Sequence, residues 1–80
     1  MSLEKNLYLA SLLDLYGPLL SATQRQVMED YLLKDLTITE IGQNHDVSRQ
    51  AVKDAISKAE AKLQKYEDKL GFLKRLNGER

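Results

Sequence analysis

Eighty residues make a single domain with room for one small core, and 42% hydrophobic with 30% charged residues is the balance of a folded, water-soluble chain. No cysteine is present, which excludes disulfides and thiolate metal sites, and a lone histidine, His45, cannot build a zinc site. The net charge is zero, with three Lys/Arg against seven Asp/Glu in residues 1–46 and nine against five in residues 47–80, so bulk charge does not drive binding to a polyanion, while the basic second half still permits local phosphate contacts.

Pro18 is the one proline and period-two alternation is absent, so the whole chain reads as helices with short connections. The first helix is expected from Ser2, as cap, to Tyr16, stopped by Gly17-Pro18. It carries two adjacent apolar rows, Tyr8/Leu12/Leu15 and Leu9/Leu13/Tyr16. One row suffices for a small core, which leaves the other for a partner.

The second helix is expected over residues 21–34. Ser21 and Gln24 are spaced as a capping box, and Val27, Met28, Tyr31 and Leu32 supply the buried stripe. Arg25, Glu29 and Asp30 fall on the outer side. A short third helix is expected from Ile38 to His45, opened by a second capping box, Thr37 with Glu40, and stapled by Leu36 and Ile41.

The fourth helix starts at a Ser48 cap, with Val47 and Val52 placed as a staple, and runs at least to Leu70 within a stretch reaching about residue 76; Gly71 is its one weak point, the place for it to bend or end, and Asn77-Gly78 its final stop. Val52, Ile56, Ala59, Leu63, Tyr66, Leu70 and Leu73 repeat at 4-3-4-3-4-3, a heptad seam. The other helices are too short to cover all of it, so Ile56, Ala59, Leu63, Tyr66, Leu70 and Leu73 are expected to form a homodimer interface. Lys58, Lys62, Lys65 and Lys69 form a basic stripe on the opposite flank of the seam from Arg49 and Lys53, read as a solvated edge of the coiled coil, with auxiliary phosphate contact as the alternative.

Within this all-α chain, residues 37–57 have the pattern of a helix-turn-helix. Gly42 is small where the two helices cross, and Asp46 stands where the turn needs a left-handed backbone, which Asp tolerates. Ile41, Val47, Val52 and Ala55 are expected to pack between the helices, with His45 partly buried at the turn. Ser48 turns the amides and positive dipole end of the second helix outward. Arg49, Gln50, Lys53, Asp54 and Ser57 then lie on its outer face, where Arg and Gln can bond guanine and adenine edges and Lys can meet guanine or phosphate. Ser48, Arg49, Gln50, Lys53, Asp54 and Ser57 are therefore the expected nucleic-acid-binding residues.

The run Thr37-Ile-Thr-Glu-Ile-Gly42 followed by Val47-Ser-Arg-Gln-Ala-Val52 resembles region 4 of bacterial sigma factors. Together with Leu15-Tyr-Gly-Pro-Leu-Leu20, Thr23-Gln-Arg-Gln26, Tyr31, Ala59-Glu60 and Tyr66-Glu-Asp-Lys-Leu70, it resembles the YlxM family of bacterial helix-turn-helix proteins over residues 7–73. The resemblance implies a sigma-like fold of four to five helices and a part in the signal recognition particle pathway, through that particle's RNA or protein. Two departures stand out. The turn carries His45-Asp46 where the family has Leu-Gly, which is expected to loosen it, and family members run longer at the C-terminus.

No Cys/His pair, Ser-His-Asp set or phosphate-cradling glycine loop is found, so no enzyme and no cofactor are expected. No apolar run approaches the ~20 residues of a membrane span, and a basic-then-apolar leader is missing, which suggests a cytoplasmic protein. Three readings stay open: a DNA-binding regulator acting as a homodimer, an adaptor for signal recognition particle RNA or protein, and a purely structural helical dimer.

Overall fold

The computed structural model describes residues 3–78. Five α-helices follow in order: α1 Leu3–Tyr16, α2 Ala22–Leu32, α3 Ile38–His45, α4 Arg49–Leu70 and α5 Phe72–Leu76, with a 3-10 turn at Gly17–Leu19 between the first two. The expected Ser2 cap lies outside the described residues.

Local signals set most of the boundaries. Ser21 Oγ accepts the Gln24 amide and the Gln24 side chain accepts the Ser21 amide, closing the first capping box. Thr37 and Glu40 close the second in the same way. Helix α2 stops two residues short of the expected Lys34, because Asp35 takes a left-handed backbone (φ 56°) and the Leu36 amide turns back to the Asp30 carbonyl.

The long helix α4 is the axis of the molecule, about 33 Å for its 22 residues. Helix α1 runs beside it in the same sense: Tyr8 bonds Gln64, and Tyr16 bonds Glu67. Helix α2 returns in the opposite sense, starting near the middle of α4, where Lys62 bonds Gln24, and ending beside α3, where Asp30 meets His45. Leu9, Leu12, Leu13 and Tyr16 of α1, Val27 and Met28 of α2, Ile41 of α3, and Val52, Ile56, Ala59 and Leu63 of α4 make the core, with Leu20 from the connection. Tyr31 and Leu32 pack against it half-buried.

Two expectations are corrected by this packing. Members of both apolar rows of α1 go inward, because α1 lies against α2 as well as α4. Leu12 of one row and Tyr16 of the other are almost completely buried, while Tyr8 sits at the exposed edge.

The seam of α4 is likewise filled from within its own chain. Ile56, Ala59 and Leu63 are buried, and Tyr66 and Leu73 pack half-buried on the same core. Of the six residues expected at a dimer interface only Leu70 is exposed, at 38%. Helices α1 and α2 grip the seam from either side, so a separate copy is not needed to cover it.

The stretch over 48–76 breaks at Gly71, the weak point named from the sequence. Gly71 adopts φ 65°, ψ 26°, which ends α4 and starts α5. A left-handed backbone strains residues with a Cβ, so glycine is the natural occupant of this break.

Candidate nucleic-acid interface

Helices α3 and α4 form the helix-turn-helix. Asp46 takes the left-handed conformation, φ 55°, ψ 46°, and its amide bonds the Gln43 and Gly42 carbonyls. The Val47 amide bonds the Gly42 carbonyl at 2.9 Å. This turn brings the Val47 carbonyl against Gly42: a Cβ added there would stand 2.9 Å from that oxygen and 3.7 Å from Val52 Cγ2. Ile41 and Val52 are fully buried between the two helices and Ala55 half-buried. Val47, expected among them, is 46% exposed, because its backbone rather than its side chain covers Gly42.

Ser48 caps α4. Its backbone is extended (φ −70°, ψ 159°) and its Oγ accepts the Ala51 amide at 3.0 Å. The aliphatic side of the helix is held by Val52 and Ile56, so the polar side of its first turns is left to solvent. Ser48, Arg49, Gln50, Lys53, Asp54 and Ser57 are all exposed on this stretch. Arg49 also borders an open groove of about 440 Å³ between the helices, lined by Thr39, Gly42, Gln43, Asp46, Val47 and Ser48.

The site is electrically mixed. Arg49 and Lys53 enter no ion pair among the described residues. Gln50 is engaged: its Nε2 donates to Asp54 Oδ1 at 3.0 Å, across one helical turn. Asp46 and Asp54 add negative charge beside the two cations. At the start of α3, bonds donated by the Thr37 backbone and side chain hold the Glu40 carboxyl below its usual range, so it stays ionised.

His45 does not loosen the turn. Its Nε2 lies 3.0 Å from Asp30 Oδ2, while Lys34 Nζ stands 3.4 Å from Asp30 Oδ1. Asp30, expected on the outer side of α2, is buried at 8% exposure. It joins the end of α3 to α2 and so supports the turn that aims α4. No local pattern announces this contact, because the partners lie 15 residues apart on different helices.

Among the described residues no cluster of three or more His, Cys, Asp or Glu is placed to hold a metal, and no helix is long and apolar enough to cross a membrane.

The family model described as helix-turn-helix protein, YlxM / p13 like, matches residues 3–80. The chain belongs to the YlxM family. The UPF0122 protein YlxM of Bacillus subtilis is 45% identical over 75 residues, 94% of this chain and 68% of that protein. A UPF0122 protein of Fusobacterium nucleatum is 44% identical over 72 residues, 90% of this chain and 70% of its own length. One from Caldanaerobacter subterraneus is 45% identical over 69 residues, 86% of this chain and 59% of that protein. The YlxM match thus takes in every helix described above, including the α3–α4 pair and its exposed polar face.

Proposed function

We propose that this YlxM-family protein binds duplex DNA by laying the first turns of α4 in the major groove, and that it acts as a regulatory protein in the cytoplasm rather than as an enzyme. The observation that carries the reading is the state of Arg49 and Lys53. Both stand on the exposed side of a capped helix whose other side is buried, and neither enters an ion pair among the described residues. That is the arrangement by which a recognition helix presents donors to guanine edges and phosphates. Ser48 and Ser57 flank these donors, and Gln50 becomes available to adenine once it releases Asp54. Two half-sites would need two copies, and the buried seam of α4 is not the surface that would join them.

A second reading is an adaptor for signal recognition particle RNA or protein. The zero net charge favours its protein form, since a neutral chain gains little from bulk attraction to DNA or RNA.

A titration of labelled DNA and RNA duplexes at two salt concentrations tests both. Replacing Arg49 and Lys53 together by Ala is expected to weaken DNA binding and to lower the salt slope by about 0.9 for each phosphate no longer neutralised. A double variant that binds DNA as well as the parent ends the first reading. Preference of the parent for the particle's RNA or protein over any DNA duplex selects the second.

A further inference from the structure

The sequence pattern alone leaves Lys58, Lys62, Lys65 and Lys69 either a solvated edge or an auxiliary phosphate contact. Their surroundings assign them more. All four are exposed along one flank of α4. At 3.6 residues per turn they fall within a sector of roughly 60° and span about 16 Å of axis. Lys58–Lys62 and Lys65–Lys69 are spaced i,i+4, and Lys62–Lys65 i,i+3, so every neighbour along the ridge carries the same charge, which disfavours a helix.

The fold supplies no relief. Lys58, Lys62, Lys65 and Lys69 enter no ion pair among the described residues. Asp54, one turn before Lys58, and Asp68, three residues after Lys65, border the ridge, but each accepts from a glutamine, Gln50 and Gln64, and pairs with no lysine, while Glu67 is buried against Tyr16. Among the described residues one bond to an uncharged acceptor touches the ridge, donated by Lys62 Nζ to Gln24 Oε1 at 3.1 Å. Repulsion kept along three successive neighbours, with acids on the same helix held by glutamines, is what an external polyanion would neutralise.

We infer that this ridge is a binding site for the phosphate backbone of nucleic acid, independent of sequence and separate from the groove-reading turn. The inference rests on the reading of α4 as the recognition helix. Lys58 stands nine residues beyond Arg49, about 14 Å along the axis. The major groove is about 12 Å wide. At 3.6 residues per turn the centre of the ridge also lies roughly 150° or more around α4 from Arg49 and Lys53, so it meets phosphates on a surface separate from the groove-reading side, where base edges are not presented. A strand offers one phosphate for about each 3.4 Å of duplex axis, so a ridge of this length faces several of them.

The test uses the full chain with all four lysines changed to glutamine (K58Q, K62Q, K65Q, K69Q), a residue of similar helix propensity. The probes are a duplex of random sequence several helical turns long and a polyglutamate of matched charge. The parent is expected to bind the random duplex, and the quadruple variant to lose up to 3–4 units of salt slope, about 0.9 per phosphate. With repulsion removed, its thermal midpoint is expected at or above the parent's, whereas a ridge needed for structure would give a lower one.

The Arg49→Ala, Lys53→Ala variant separates the two readings. Loss of sequence preference with random-duplex binding retained supports the ridge as a distinct site. Random-duplex binding retained in a parent that shows no sequence preference sinks the groove reading and spares the ridge. An unchanged salt slope in the quadruple variant, a lowered midpoint, absence of duplex binding by the parent, or polyglutamate bound as tightly as the duplex each overturns the proposal.

Discussion

Tyr16 Oη donates a hydrogen bond of 2.6 Å to Glu67 Oε1, joining the end of α1 to the last turns of α4 across 51 residues of sequence. The same carboxylate accepts the Leu73 and Lys74 amides, and the Tyr16 oxygen accepts the Phe72 amide. Three otherwise orphaned donors at the start of α5 are thereby satisfied by groups from two other helices. Phe72 stacks on the Tyr16 ring at 5.9 Å, so one apolar and one polar contact fix the same corner.

This corner predicts how stability follows pH. Burial pushes the Glu67 carboxyl up, but the bonds from Tyr16, Leu73 and Lys74, with the Lys74 charge, outweigh it and hold the group below its ordinary 4.5. Burial, then the bond to Glu67, raises the Tyr16 hydroxyl above its ordinary 10.0. A depressed carboxyl contributes stability that is present above its unfolded value and lost as pH falls through the folded one. A raised hydroxyl contributes stability that is present below its unfolded value and lost as pH rises through the folded one. The urea midpoint is therefore expected to be flat through neutral pH and to fall at both ends. Glu67→Gln should flatten the acid limb and Tyr16→Phe the alkaline limb. Limbs identical to the parent's in both variants would rule out the corner as their source.

Leu63 tests where the heptad seam goes. It is wholly buried against its own chain. Leu63→Ala is expected to cost about 3–5 kcal/mol, the transfer loss plus the cavity left behind. A denaturant series measures this, and sedimentation of the folded variant should give the parent's mass. A small loss of stability with a fall in mass would return the seam to an interface between copies.

Gly42 tests the close approach within the helix-turn-helix. Gly42→Ala puts a methyl group 2.9 Å from the Val47 carbonyl, which is backbone and held by its turn. The expected loss is about 1–3 kcal/mol, as for other overpacked sites, with α4 displaced at its start. Calorimetry gives the first quantity. A midpoint equal to the parent's would mean that the crossing has slack.

Much of this architecture is legible in the amino-acid order because its signals are local. The Ser21/Gln24 and Thr37/Glu40 boxes and the Ser48 cap each span a few residues, and the structure closes all three. Gly42 and Asp46 follow from the steric demands of one turn. What escaped depends on distance. Asp30 reads as an outer residue of α2 until α3 brings His45 beside it, and Glu67 reads as one more surface acid until Tyr16 and the amides of α5 converge on it. The period of the α4 seam shows that one side is apolar, yet it is silent on which helix covers that side. The exposed face from Ser48 to Ser57 is legible for the same reason as the caps, since helical spacing alone separates it from Val52 and Ile56.

The pairing of His45 with Asp30 is the next to test. His45→Ala leaves a largely buried carboxylate with Lys34 alone, at 3.4 Å and on an exposed stem. An abandoned buried acceptor typically costs about 1–3 kcal/mol. Asp30→Asn combined with His45→Ala is expected to recover part of that loss, because the uncompensated charge goes with its partner. Equal stability of the single and double variants, measured by denaturant titration, would show that the pair contributes nothing jointly.

Asp54 provides the sharpest probe of the α4 surface. It holds Gln50 through a 3.0 Å bond and places a negative charge beside Arg49 and Lys53. If α4 reads a groove, this carboxylate opposes the phosphates and withholds the Gln50 amide from adenine. Asp54→Ala removes both obstacles, and alanine favours the helix. Duplex affinity is expected to rise several-fold at low salt, with the gain shrinking as ionic strength screens the charge. A distinct preference for adenine should appear on the freed Gln50, and Gln50→Ala in the same background should abolish it. Affinity that falls on removing Asp54 would mean that the carboxylate itself contacts the ligand, as it would when accepting from a cytosine amine.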